Sequence, residues 1–413
     1  MNIVNRKPLR VIMLSQYPLD EREQALGGIM QSTFQLIGGF AELDDPDLEL
    51  HVVSINESCT SPFTETKGRI QFHFLPKSRS TFGIVVVDTL RQLRYIRRLV
   101  RRICPHVIHA QNNVGYILLS LYLGLPNVQT IHGIFRNEQR AIPRDQLSAG
   151  DRLRFRIKEA LEVIYIRRIR NLIAITGQIE SLLRTQGRRD IRIDRINNST
   201  EPAFFARPER LAERGVESKL TILFVALITP RKGLHVLADA FKKLAAAHEN
   251  AVLRIVGLPD HAPDYVAEQK NALRDLIEAG RVVFTGGVTR EQLIAEYQGA
   301  DIFVLPSFAE SAPMAISQAL CMGLPIVTTN VGGIPEMIQD KEVGLLVPPG
   351  DAAALADALE FLILRPEERR RLALSANKAG IERYHPKSNA SAIGKVYRRI
   401  SETESFGQRA AQE

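Results

Sequence analysis

Short runs of β-branched and aliphatic residues recur along the chain. Each is followed by a longer stretch in which apolar positions return every three or four residues. The short runs read as strands buried on both faces, and the longer stretches as amphipathic helices. The strands predicted in the first half are Leu9–Leu14, Leu50–Ile55, Ile70–Leu75, Val107–His109, Asn127–Ile131 and Asn171–Ala174. Those in the second half are Thr221–Ala226, Val252–Gly257, Val282–Gly286, Ile302–Leu305, Pro325–Thr328 and Gly344–Val347. This alternation specifies an α/β protein built from βαβ units around doubly wound parallel sheets. The rhythm breaks near 197–207, where Asn-Asn-Ser-Thr-Glu-Pro interrupts it, so two domains are expected, 1–205 and 206–385. Doubly wound sheets bind ligands beyond the carboxyl ends of their strands, and two facing each other would make a cleft for two substrates. No tandem repeat is visible, and the tail after Ser401 is polar and expected to fray.

Composition adds little to this picture, but charge does. With 413 residues, 45% hydrophobic and 24% charged, the chain is an ordinary globular one. Its net charge of +8 is uneven. Residues 1–200 hold 29 Lys and Arg against 19 Asp and Glu, and the remainder holds 25 against 27. The basic excess therefore belongs to the first half, where it suits an anionic partner or a solvated basic face. Much of it sits in Leu90–Ile103, in which Leu90, Leu93, Ile96, Leu99, Val100 and Ile103 share one helical face. Arg91, Arg94, Arg97, Arg98, Arg101 and Arg102 occupy the others, a pattern that serves either a core-packed helix or contact with an anionic membrane surface. Nucleic acid is disfavoured, because only Tyr95 interleaves these arginines.

The apolar run Tyr116–Leu125 is too short to span a membrane, and Val11–Leu14 is too short for a secretory signal, so a cytoplasmic location is expected. Cys59, Cys104 and Cys321 lie far apart without metal-ligand spacing and read as small buried hydrophobes. Asp45-Pro46-Asp47 superficially resembles a metal-binding Asp-x-Asp, but it lies in an acidic loop before a strand and reads as a solvated turn. No metal or cofactor is expected.

The segment from Ala300 to Glu336 carries the most chemistry. Its strand Ile302–Leu305 leads through Pro306 and Ser307 into a loop, and a helix is expected to start near Ser311 with Pro313 in its first turn. Glu310 then lies at a helix mouth, beside free N–H groups suited to a diphosphate. Its carboxylate would either accept hydrogen bonds from sugar hydroxyls or cap the helix.

This block resembles the donor site of the family 4 glycosyltransferases of the GT-B fold. The match runs through Pro306, Ser307, Glu310, Ala319, Gly323, Pro325, Gly332, Gly333 and Glu336. Leu223–Gly233 is similar to the family's phosphate loop, aligning Lys232 and Gly233 and placing Arg231 beside the lysine. Gly257 and Val288 match positions near the nucleotide, Gly27 and Gly28 a glycine pair at the donor diphosphate, and His132 a strand-end histidine near the transferred sugar. His109 fits a family pattern too and reads as structural.

The resemblance implies two Rossmann-like domains, with a last helix, about 386–413, crossing back onto the first. It also implies retaining hexosyl transfer from a UDP- or GDP-sugar, expected to be metal-independent for want of metal-ligand spacing. The basic first half suits a glycan or lipid-linked acceptor at the inner membrane face, with peripheral contact there, in cell-surface polysaccharide or glycolipid assembly. Lys232, Arg231 and backbone N–H groups around Gly28, Ser311 and Ala312 would stabilise the leaving nucleoside diphosphate, and Glu310 would orient the sugar. Two positions depart from the pattern. Gln318 stands where the family has a carboxylate for the ribose hydroxyls, and Leu227 where it has an arginine. These departures keep a catalytically silent sugar-nucleotide-binding module open as an alternative, with a sugar-nucleotide 2-epimerase of the same fold as a third.

Overall fold

A computed structural model of the chain describes residues 8–19, 27–56, 58–77, 85–111, 114–133, 149–186, 190–205, 219–259, 262–339 and 341–410. They divide into two compact units. The first comprises the described residues up to 133, then 149–199 and 386–410; the second comprises 200–385.

The first unit contains β1 (Leu9–Leu14), α1 (Gly28–Leu43), β2 (Leu48–Asn56), β3 (Phe63–Lys67), β4 (Ile70–Pro76), α2 (Val85–Ile103), β5 (Val107–Gln111), α3 (Val114–Tyr122), β6 (Asn127–Ile131), α4 (Ala149–Ile166), β7 (Asn171–Ala174), α5 (Gly177–Gln186) and β8 (Arg192–Arg195). Its sheet runs β3-β4-β2-β1-β5-β6-β7-β8, parallel except for the β3–β4 pair. The interior strands are apolar because helices cover both faces; all five residues of β5 are buried. The two strands absent from the expected set, β3 and β8, are the edges. β3 is exposed throughout, and both are polar, FTETK and RIDR, so neither shows an apolar run.

The second unit contains β9 (Leu220–Val225), α6 (Leu234–Ala247), β10 (Ala251–Val256), α7 (Pro263–Ala272), α8 (Arg274–Glu278), β11 (Val282–Gly286), α9 (Arg290–Gly299), β12 (Ile302–Leu305), α10 (Met314–Cys321), β13 (Ile326–Thr329), α11 (Ile334–Ile338), β14 (Gly344–Val347), α12 (Ala352–Leu364) and α13 (Pro366–Tyr384). Its six strands run β11-β10-β9-β12-β13-β14, all parallel. In each sheet the order reverses at the first strand, β1 or β9, and such a switch point opens a crevice at the carboxyl ends of the strands.

The last helix, α14 (Pro386–Ala410), belongs to the first unit and packs on α1. Glycine permits the close approach, since a Cβ on Gly39 would lie 2.3 Å from the Pro386 carbonyl oxygen. Ala390, Ile393, Val396, Tyr397 and Ile400 of α14 join the core that Val11, Met13, Val52, Phe72 and Val107 build from the sheet.

Ile96, Leu99 and Ile103 of α2 are buried, while Arg94, Arg97, Arg98, Arg101 and Arg102 are exposed; the Arg91 side chain lies outside the described residues. Among the described side chains the apolar face of this helix is thus buried or half-buried in its own unit, and the basic face meets solvent. Cys59 and Cys321 are buried, but Cys104 is exposed, a correction to the expectation for all three. It holds a left-handed turn (φ 49°) just beyond α2 and has no core to enter. Asp45 accepts from the Asp47 N–H at 3.0 Å and pairs with Arg398 of α14.

Candidate functional site

The second unit gathers its charged chemistry where β9 and β12 end. After β9 the chain forms one turn of 3-10 helix, Pro230–Lys232, closed by Gly233 in the left-handed region (φ 74°). A Cβ at Gly233 would lie 2.0 Å from the Pro306 carbonyl oxygen. Glycine therefore serves twice here, supplying the positive φ and letting the loop press on the end of β12. That approach seats Lys232 Nζ on Glu310 Oε1. Ser307 Oγ donates to the same oxygen at 2.9 Å, and Thr329 Oγ1 fixes the strand end by donating to the Ser307 carbonyl at 2.5 Å. Arg231 donates to the Ala309 carbonyl at 2.7 Å and stands 3.8 Å from Glu310 Oε2. The Gly333 N–H reaches the Glu310 carbonyl at 3.3 Å, tying in the Gly332-Gly333 turn.

Glu310 is only 7% exposed, so its charge is largely desolvated and needs these partners. One carboxylate against two cations leaves one positive charge, which suits a phosphate-bearing ligand beside it. Leu227, at the position where an arginine would be expected, is 52% exposed, and the second cation comes instead from Arg231, which turns toward Glu310.

The helix after this loop starts at Met314, three residues later than expected, with Pro313 at the N-cap and no side-chain cap. Glu310 therefore does not cap it, and Ser311 and Ala312 lie half-buried in the connecting turn. Gln318 is 4% exposed, and its Oε1 accepts from the hydroxyl of the fully buried Tyr297 at 3.1 Å. The same hydroxyl lies 3.1 Å from the Ala315 carbonyl, so its one proton is shared between the two oxygens, and the Gln318 carbonyl is held toward α9. Nothing in the spacing signalled Tyr297, because the contact crosses from one helix to the next.

Gly257 has φ 142°, and a Cβ there would lie 1.8 Å from the Ala226 oxygen, so close packing of the β9 and β10 ends already demands glycine. Val288 is half-buried against the core, one residue before Thr289, which caps α9. Leu227, Leu258 and Phe308, three exposed apolar side chains of which the sequence reading had singled out only Leu227, follow β9, β10 and β12. Phe308 stacks on His235, ring centroids 5.5 Å apart. The only signal for Leu258 and Phe308 was an apolar residue lying just past a strand end.

In the first unit, Gly27 precedes α1 with φ 72°, and a Cβ on it would meet nothing within 4 Å. Backbone conformation rather than crowding explains this glycine. It leaves Gly28 as the first residue of an uncapped 16-residue helix with free N–H groups. His132, just past β6, is 7% exposed, and its Nε2 lies 2.9 Å from Gln111 Oε1. His109 is fully buried between Tyr397 and Thr130. Burial pushes His132 down to about 4 and His109 to about 3, so both rings are neutral near pH 7. These residues gather at the carboxyl ends of β5 and β6. A larger cavity of about 320 Å³, lined by Arg168, Arg170 and Asn171, lies at the opposite, amino ends of β6 and β7.

Among the described residues, no group of three His, Cys, Asp or Glu side chains is placed to hold a metal, and no helix is long and apolar enough to cross a membrane.

Comparison with known proteins agrees with this geometry. Residues 207–379 match the family model for glycosyl transferases group 1, and residues 26–204 the model for glycosyltransferase family 4. The chain is 29% identical over 251 residues to a D-inositol 3-phosphate glycosyltransferase of Mycobacteroides abscessus, covering 59% of this chain and 54% of the relative. It is 33% identical over 183 residues to a phosphatidyl-myo-inositol mannosyltransferase of Mycobacterium leprae, covering 44% and 47%. The matches thus span about half the length of these two relatives. Among solved structures, sucrose-phosphate synthase from Thermosynechococcus elongatus superposes with a TM-score of 0.75 at 19% identity, covering 95% of this chain and 99% of that one. With a family 4 first half, a group 1 second half and two parallel-sheet units of the GT-B kind, the chain belongs to the family 4, group 1 glycosyltransferases.

Proposed function

We propose that the chain transfers a hexosyl group from a nucleoside-diphosphate sugar to a glycan or lipid-linked acceptor, with retention of configuration and without a metal ion. The observation that carries this reading is the desolvated Glu310, held by Lys232 and Ser307 with Arg231 beside it. Lys232 keeps two further N–H donors after pairing with Glu310, enough to reach a phosphate oxygen. With Arg231 it offsets charge on the departing diphosphate, the work a metal does elsewhere. The free N–H groups at Gly28 and around Ser311 and Ala312 serve the same end. Glu310, fixed on one oxygen by Ser307 and Lys232, is assigned to the sugar hydroxyls, and His132 to the neighbourhood of the transferred sugar. Gly27, Gly257 and Val288 keep the nucleotide-proximal roles that the family resemblance gives them.

A lipid-linked acceptor fits the exposed arginine face of α2, since each cation near an anionic bilayer contributes about 1 kcal/mol. The relative that is a phosphatidyl-myo-inositol mannosyltransferase supports a lipid-linked acceptor, and the setting assigned to the chain is glycolipid or cell-surface polysaccharide assembly at the inner membrane face. The test is incubation with radiolabelled UDP- and GDP-sugars across an acceptor panel. Transfer or slow donor hydrolysis is expected, and both should fall about a hundredfold or more in Glu310→Ala. Unchanged activity in that variant would remove the donor-site assignment.

The second reading is a sugar-nucleotide-binding module without catalysis. It is favoured by one observation, the engagement of Gln318 with Tyr297. Donor binding with neither transfer nor hydrolysis would select it.

A further inference from the structure

Five buried side chains of the first unit stand in file. Tyr397 Oη of α14 lies 2.6 Å from His109 Nδ1. His109 Nε2 lies 2.7 Å from Thr130 Oγ1 and 3.3 Å from Gln111 Nε2, and Gln111 Oε1 lies 2.9 Å from His132 Nε2. Beyond His132, its Nδ1 and the Asn198 Oδ1 are both buried without a hydrogen-bond partner among the described residues. The two residues line one cavity of about 10 Å³, the bottom of the range that a single water needs.

Counting protons shows what is wrong with that orientation of Gln111. Both imidazoles are neutral, so each carries one N–H. With the amide oxygen toward His132, that ring must hold its proton on Nε2, and Nδ1 then confronts the Asn198 oxygen as acceptor against acceptor. The amide N–H groups toward His109 drive its proton to Nδ1, making the Tyr397 hydroxyl an acceptor whose own proton has no acceptor among the described residues. Exchanging the oxygen and nitrogen of Gln111, which fill nearly the same volume, removes both faults and moves no other atom.

We infer that the file is a one-way hydrogen-bond chain. Tyr397 O–H donates to His109 Nδ1, His109 Nε2–H to Thr130 Oγ1 and the Gln111 oxygen, and Gln111 N–H to His132 Nε2. His132 is then the Nδ1–H tautomer, with Nε2 taken by the protein and Nδ1–H turned toward the small cavity it shares with Asn198. It acts near the sugar by shape and dipole rather than by exchanging a proton, and Gln111 and Tyr397 are positioning residues for it. This deepens the proposed function and rests on its placement of His132 near the transferred sugar.

The test uses the full chain labelled with 15N-histidine, with two-bond 1H–15N correlation spectra reading the tautomers. The spectra should show Nδ1–H for His132 and Nε2–H for His109; an Nε2–H His132 in the unsubstituted protein overturns the inference. Gln111→Glu can only accept at both ends, so it should switch His132 to Nε2–H while His109 keeps its form. It should also lower kcat about tenfold with donor KM within twofold. A Gln111→Glu protein that keeps the Nδ1–H form of His132 overturns the chain as well. The parent reading fails differently: if His132→Ala transfers sugar at the normal rate, His132 is not near the sugar, whatever its tautomer.

Discussion

The two units share one architecture and differ in the polar groups they bury at their candidate sites. The first fills its sheet with neutral imidazoles: His51 faces His73 at 3.1 Å, and His109 and His132 join the file from Tyr397. The second buries charge, setting Glu310 against Lys232 and Arg231. Neutral rings need only one proton each in the right place, whereas a buried carboxylate needs cations held against it by the fold. The first unit is therefore vulnerable to acid, and the second to loss of a single charge.

Acid should break the comparison most strongly. Burial lowers His73 and His132 to about 4 and His109 to about 3, below the ordinary 6.5 that holds when unfolded. The unfolded chain thus binds protons first as pH falls, so stability is complete above about 6.5 and is lost from there down toward the folded values. Between pH 7 and 5 each ring costs about 2 kcal/mol, about 5 to 6 kcal/mol for the three together. Calorimetry should show a first-unit transition falling steeply over this range, and a flat one would contradict the burial.

Lys232→Met comes next. It strands Glu310 and should cost the second unit about 3 to 5 kcal/mol in denaturant melts, with Lys232→Met/Glu310→Gln recovering most of it. Gln318→Glu places a carboxylate where, among the described residues, the donor is the Tyr297 hydroxyl it shares with the Ala315 carbonyl. It should lower stability by about 1 to 3 kcal/mol without tightening nucleotide binding; tighter binding in titration calorimetry would show that residue 318 reaches the ribose. The smallest effect belongs to Leu227→Arg, which adds an exposed cation at the strand ends and should improve nucleotide affinity less than about fivefold, within the ordinary range for an exposed ion pair.

How much of this was legible beforehand depends on where the information resides. Twelve strands show as apolar runs, including β11 and β14 at the edges of the second sheet, whereas β3 and β8 escape because FTETK and RIDR carry no such run. The region of Glu310 was legible because motif spacing fixes where the chain turns. Its partners were legible only in part. Lys232 follows from the loop, but the inward turn of Arg231 depends on a carbonyl at Ala309 that side-chain patterns do not encode. The capping alternative for Glu310 failed because Pro313, expected inside the first turn, instead marks the boundary before Met314. Tyr297 and Tyr397 were invisible for a common reason: each meets its partner across helices or sheets, 21 and 288 residues away in sequence.

The seating of α14 on α1 also bears on how the molecule is made. All of the second unit's described residues lie between 200 and 385, so they have left the ribosome before the final helix is made. The first unit is still incomplete at that point. Its core lacks Ala390, Ile393, Val396, Tyr397 and Ile400 until the final helix is synthesised, so the half made first is completed last.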